Sequence, residues 1–143
     1  MPILNETPEC ACLTLRGTAR AVTQMYDETL KPSDLKATQF SVLAAVAVEG
    51  PASMTAISKA LVMDRTTLTR NLKPLMERGL VKEGAGAKDR RQRQIVITRA
   101  GNAALSKALP LWKKAHSQIV DGIGHARWQG MTRLLDEAIT LSN

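Results

Sequence analysis

The stretch MDRTTLTRNLKPLMERGLVKEGAGAKDRRQRQIVITRAG, residues 63–101, changes its hydrophobic period halfway along, and that change decides the fold. In the first half Leu68, Leu72, Leu75 and Met76 recur at helical spacing behind Asp64, a residue type suited to N-capping. Gly79 follows, able to take the left-handed conformation that ends a helix. Pro74 removes one backbone bond inside this helix, so the part before it is expected to be the straight, presented segment. In the second half, residues 80–83 and 92–98 are short β-prone runs joined by a Gly-rich, charged middle, which predicts a β-hairpin.

Working outward, Ser53 suits the N-cap of a short helix, MTAISKALV, with Met54, Ile57 and Leu61 inward. Gly50-Pro51 marks a turn before it, and another helix is expected to start at Thr38 as N-cap and to bury Phe40, Leu43, Ala44, Val46 and Ala47. Leu15, Ala19, Val22, Tyr26 and Leu30 form one stripe of a first helix that Pro32 ends. Downstream, Thr98 can cap a long helix with Leu105, Leu109, Trp112, His116, Ile119 and Ile123 on one face and a kink at Pro110. Met131, Leu134, Leu135, Ala138 and Ile139 share a face of a last helix.

At 143 residues and 44% hydrophobic, the chain suits one domain spanning 1–143 with a real core. No apolar run approaches the roughly 20 residues that span a bilayer, and MPILNETPEC lacks the basic and apolar regions of a signal peptide. A cytoplasmic protein with no membrane contact is the expectation. The formal net charge of +7 is localised: residues 54–99 hold eleven Lys or Arg and four Asp or Glu, while the rest of the chain carries nine of each. A confined basic field is the footprint of a polyanion, against the plainer reading of a solvated basic face. Single-stranded RNA readers stack bases on aromatics, but Tyr26, Phe40, Trp112 and Trp128 all lie outside the basic window, which favours double-stranded DNA. The sequence has no phosphate-binding Gly loop or nucleophile elbow and no zinc-like Cys/His spacing, so no enzyme, cofactor or metal is expected.

Two short helices, a turn, a capped third helix and a basic hairpin describe a winged helix-turn-helix, mainly α with a small β wing. With Leu68, Leu72 and Met76 inward, Arg65, Thr66, Thr67, Thr69, Arg70 and Lys73 project from the opposite side. Arg can donate two bonds to guanine in the major groove, and Thr offers a hydroxyl and a methyl.

Residues 63–101 resemble the winged-helix core of the MarR family of bacterial transcription regulators, with the family's Asp-x-Arg wing motif present as Asp89-Arg90-Arg91 and a Leu-Thr-x-x-Gly-like close as ITRAG. LKATQFSVLAAV is similar to the family's second helix, so the resemblance covers nearly the whole chain. It implies a recognition helix over 65–73, with Thr67 and Arg70 nearest to bases or phosphates. Asp89 would orient an arginine, and Arg90 or Arg91 would enter the minor groove, whose narrow A·T tracts attract guanidinium. Lys88 and Arg93 would touch phosphate. The DNA-binding region would be 35–100, flanked by dimerisation helices in 8–32 and 103–143. A two-fold dimer would suit a palindrome, because it alone sets two recognition helices about 34 Å apart. The resemblance further implies a repressor released by a small aromatic effector bound between the two regions; Tyr26, Phe40, Trp112 and His116 are candidate liners that suit core packing equally. Two alternatives stay open: oxidant sensing through Cys10 and Cys12, since thiols at a helix N-terminus can be reactive, and charge-driven nucleic-acid binding without sequence choice.

Overall fold

The computed structural model of the chain describes residues 9–84 and 93–143. Helix α1, Ala11–Leu30, leads through a 3-10 turn, Lys31–Ser33, into α2, Ala37–Glu49. Strand β1, Ala52–Ser53, precedes α3, Met54–Leu61, and α4, Arg65–Glu77. Strands β2, Val81–Glu83, and β3, Gln94–Ile97, follow, and two further helices complete the order, α5, Arg99–Ile123, and α6, His125–Leu141. This is the winged helix-turn-helix arrangement, with α3 and α4 as the helix pair and β2 and β3 as the wing strands.

Three of the four expected N-caps form as read. Ser53 Oγ, Asp64 Oδ1 and Thr98 Oγ1 accept from the backbone N–H of Ala56, Thr67 and Gly101 at 3.1, 2.8 and 3.0 Å. Helix α2 departs from expectation: Thr38 lies inside its first turn and the N-cap is Lys36, whose side chain has no acceptor to offer. The orphan N–H groups are met from elsewhere, Ala37 N–H donating to Asp27 Oδ1 at 2.7 Å and Lys36 N–H to Gln39 Oε1 at 3.0 Å. A carboxylate of α1 therefore fixes the start of α2. At the end of α4, Gly79 takes φ 68°. Its N–H donates to Met76 O at 3.0 Å and Leu80 N–H to Leu75 O at 2.9 Å, the two-bond Schellman closure.

The sheet is antiparallel in the order β1-β3-β2, with Ala52 and Val81 opposite Ile95 and Ile97 respectively. Strand β1 is an addition to the expected hairpin. Two residues carry no alternation to detect, and they pair only because β3 presents its other edge. The core lies where α2, α3, α4 and β3 meet: Leu43, Ile57, Leu68, Leu75 and Ile95 are buried there. Each such side chain contributes roughly 1.5–3 kcal/mol of burial.

Two helical faces differ from the sequence pattern. On α2, Val42 is buried and Ala47 is exposed. On α5 the buried residues are Gly101, Ala108, Ala115 and Val120, while Leu109 is exposed. Helix α5 has its most extensive packing against α1, and three of its four buried residues are glycine or alanine. A pattern that counts large apolar residues misses a buried face made of small ones. Helix α6 buries none of its residues within the chain, and its Leu134 is 65% exposed. Among the described residues no helix is long and apolar enough to cross a membrane.

Candidate nucleic-acid interface

Helix α4 is held from below and open above. Leu68, Leu72 and Leu75 are buried beneath it, which leaves Arg65, Thr66, Thr69, Arg70 and Lys73 exposed. Of these, Thr66, Thr69, Arg70 and Lys73 follow i, i+3, i+4, i+7 spacing and form one face. Thr67 is half-buried and its hydroxyl donates to Asp64 Oδ2 at 2.7 Å, so this side chain is part of the cap. Thr69 Oγ1 donates back to Arg65 O at 2.9 Å, which leaves both lone pairs of the hydroxyl free to accept. Asn71 steadies the same turn through Nδ2 to Thr67 O at 2.8 Å, a contact with no signature in the sequence.

The Asp64 carboxyl is held below the usual carboxylate range, first by the Thr67 N–H and then by the Thr67 hydroxyl, with the Arg70 charge adding a little. Because folding lowers this pKa, the stabilisation is present at neutral pH and is lost as pH falls through the folded-state value. Asp64→Ala is therefore expected to lower the melting temperature at neutral pH, with the gap to wild type closing as the carboxylate is protonated in acid. A gap that persists unchanged in acid would show that the cap is not its source.

Between α4 and the wing strands lies a cleft of about 560 Å³. Met54, Leu72, Met76 and Ile95 line its apolar floor, and Thr66, Thr69, Arg70, Lys73, Glu77 and Arg93 surround it. The structure thus brings Arg93 to the same surface as the α4 face. Its guanidinium is already engaged, Nε donating to Glu83 Oε1 at 2.8 Å and a terminal nitrogen donating to the same oxygen. The expected phosphate contact of Arg93 thus has an intramolecular competitor, Glu83, which the sequence reading passed over; the signal was an acid and a base of the same hairpin, ten residues apart. Lys88, Asp89, Arg90 and Arg91 lie outside the described residues.

The aromatic side chains form a second constellation, where α1, α2, α5 and α6 converge. Phe40 stacks on Trp112 with centroids 5.7 Å apart, and Trp112 stacks on His116 at 4.7 Å. Trp128 meets His116 edge-on at 6.4 Å, and Tyr26 Oη lies 3.5 Å from His116 Nδ1. Burial pushes the Tyr26 phenol above its ordinary pKa. Tyr26, Phe40, Trp112 and His116 are therefore one group in space, joined by Trp128. Cys10 and Cys12 are exposed free thiols, Cys10 being the residue before the first turn of α1. Among the described residues no three His, Cys, Asp or Glu side chains are grouped to hold a metal ion.

Comparison with known proteins places this geometry among regulators. The MarR family model matches residues 33–92. The transcriptional regulator MosR of M. tuberculosis, solved in complex with DNA, is 40% identical and superposes with a TM-score of 0.83 over 94% of this chain and 96% of that one. The HTH-type transcriptional regulator SarZ of Staphylococcus haemolyticus is 32% identical over 90 residues, 63% of this chain. The chain spans 61% of the length of that relative. A MarR mutant from E. coli, solved with operator DNA, shares the fold at a TM-score of 0.80 and 23% identity, over 94% of this chain and 96% of that one.

Proposed function

Because the chain belongs to the MarR family of DNA-binding transcriptional regulators, we propose that it acts as a homodimeric repressor at a palindromic operator. The observation that carries this reading is the exposed Thr66, Thr69, Arg70 and Lys73 face of a capped helix whose other side is anchored in the core. Its size suits the major groove, and Arg70 is the side chain of that face able to donate two bonds to a guanine. Lys88 would extend the contact to phosphate, and Arg90 or Arg91, one of them oriented by Asp89, would reach the minor groove, within a DNA-binding region of 35–100.

Dimerisation through 8–32 and 103–143 is supported by the apolar side chains left uncovered on the terminal helices. Leu13, Leu15, Leu134, Ile139 and Leu141 are large and exposed, and a helix with no fully buried residue in its own chain is suited to a partner copy. The aromatic group of Tyr26, Phe40, Trp112 and His116 joins α2 of the DNA-binding region to α1 and α5. A small aromatic effector inserting there would alter the spacing of the two α4 helices. The exposed Cys10 and Cys12 favour oxidant as a second input.

Selection of preferred duplexes from a random pool tests this directly. The expected product is an inverted repeat with half-site centres about 34 Å apart, bound by two chains and preferred over random duplex by about a thousandfold. Sequences without dyad symmetry, or binding by one chain, would overturn the palindromic dimer. The same duplex serves for added aromatic acids, and for peroxide on wild type against a Cys10→Ser, Cys12→Ser double mutant; binding unchanged by either treatment would remove that input.

A further inference from the structure

Arg78 is the C-cap of α4, and its Nη1 donates to the main-chain oxygen of Asp34 at 2.9 Å. By helical geometry it lies about 120° round the helix from Thr66, off the outward face. Asp34 stands at the joint between α1 and α2, where the 3-10 turn Lys31–Ser33 ends and the chain takes φ 59°. That turn is firmly seated. Ser33 is buried, and its Oγ donates to Leu30 O at 2.7 Å and accepts from Leu35 N–H at 3.3 Å. Leu30 and Leu35 are buried beside it, and the turn packs against α5. Helix α4 itself packs on α2, α3 and β2. Arg78 therefore ties the end of α4 directly to a fixed point on α1 and α5.

We propose that Arg78 is a positioning residue of the DNA interface: its bond to Asp34 sets the pose of α4 on α1 and α5, and so the half-site spacing that a dimer accepts. Leu68, Leu72 and Leu75 hold α4 by apolar contact, which is non-directional. A hydrogen bond depends on distance and angle, so it favours one roll and one axial position of the helix. In a two-fold dimer joined through the terminal helices, the separation of the two α4 helices follows from how each is fixed to them. A duplex whose half-sites are moved by one base pair demands a different pose, in which this bond is stretched. The free energy of the bond then falls as a penalty on the wrong spacing. Removing it narrows the ratio of affinities for the two spacings by one and the same factor, whether the preferred duplex weakens or the respaced one gains. The proposal rests on the reading of the chain as a dimer at a palindrome.

Arg78→Ala tests the idea on the selected inverted repeat, on the same half-sites moved apart by one base pair, and on random duplex. The side chain is exposed, so the fold is retained. The preference for the selected spacing over the wider one is expected to shrink roughly 3- to 10-fold, the worth of one hydrogen bond of ordinary net strength. Affinity for random duplex should stay within about twofold of wild type, with the salt slope unchanged, because Arg78 neutralises no phosphate. Arg78→Lys keeps a donor for the single acceptor and is expected to restore most of the preference. An unchanged spacing preference in Arg78→Ala would overturn the proposal, as would an Arg78→Lys variant no better than Arg78→Ala. Equal weakening on all three duplexes, with a slope shallower by about 0.9, would overturn it too and make Arg78 a phosphate contact. Wild type that binds as a single chain, or prefers no spacing, would instead bring down the dimer reading and this proposal with it.

Discussion

Gly101→Ala is expected to destabilise the chain by about 3 kcal/mol, the upper end of what overpacking a core position costs. The reason is local crowding at the junction of three elements. A Cβ at Gly101 would overlap the Leu80 carbonyl oxygen and stand 2.7 Å from Ile97 Cγ1. Leu80 O is also the acceptor for Thr98 N–H at 3.0 Å, and Thr98 Oγ1 donates to Gly79 O at 2.6 Å, so the backbone there has little room to retreat. Relief would require α5 to move off the start of β2, loosening the wing and the end of α4 together. Urea unfolding followed by circular dichroism measures the loss. A cost under about 0.5 kcal/mol, typical of surface changes, would show that this junction is not tightly packed.

Arg70→Ala is expected to weaken binding to the selected duplex by roughly 1–3 kcal/mol and to relax base choice at one position of each half-site. Fold stability should hardly change, because the side chain is exposed and the buried residues beneath it are Leu68, Leu72 and Leu75. Arg70 is the better candidate base reader than Thr67, since the Thr67 hydroxyl is committed to the Asp64 cap. Titration of selected and random duplexes at several salt concentrations separates the two roles an arginine can play. Equal losses on both, with a shallower salt slope, would make Arg70 a phosphate contact and leave base reading to Thr66, Thr69 or the wing.

Much of the candidate interface was legible in the sequence. Asp64, Ser53 and Thr98 act as caps because a short side-chain oxygen ahead of a helical pattern has little else to do, and Gly79 closes α4 because the left-handed position suits it. The outward face of α4 followed from the inward leucines by helical geometry alone. What escaped notice depended on partners distant in the chain. Thr38 looks like a cap, yet Asp27 from α1 does that work; Leu109 looks buried, yet it is exposed and its neighbour Ala108 is buried instead, as is Ala115 one face-repeat on.

The sequence by itself determined the order of elements, the localisation of positive charge and the polar face of α4, because each depends on residue types and periods read along the chain. Tertiary structure decided the rest: which cations share a cleft, that Arg93 is held by Glu83, and that five rings from four helices meet in one group. Those facts turn on distances between side chains brought together only by folding, and no local pattern encodes them.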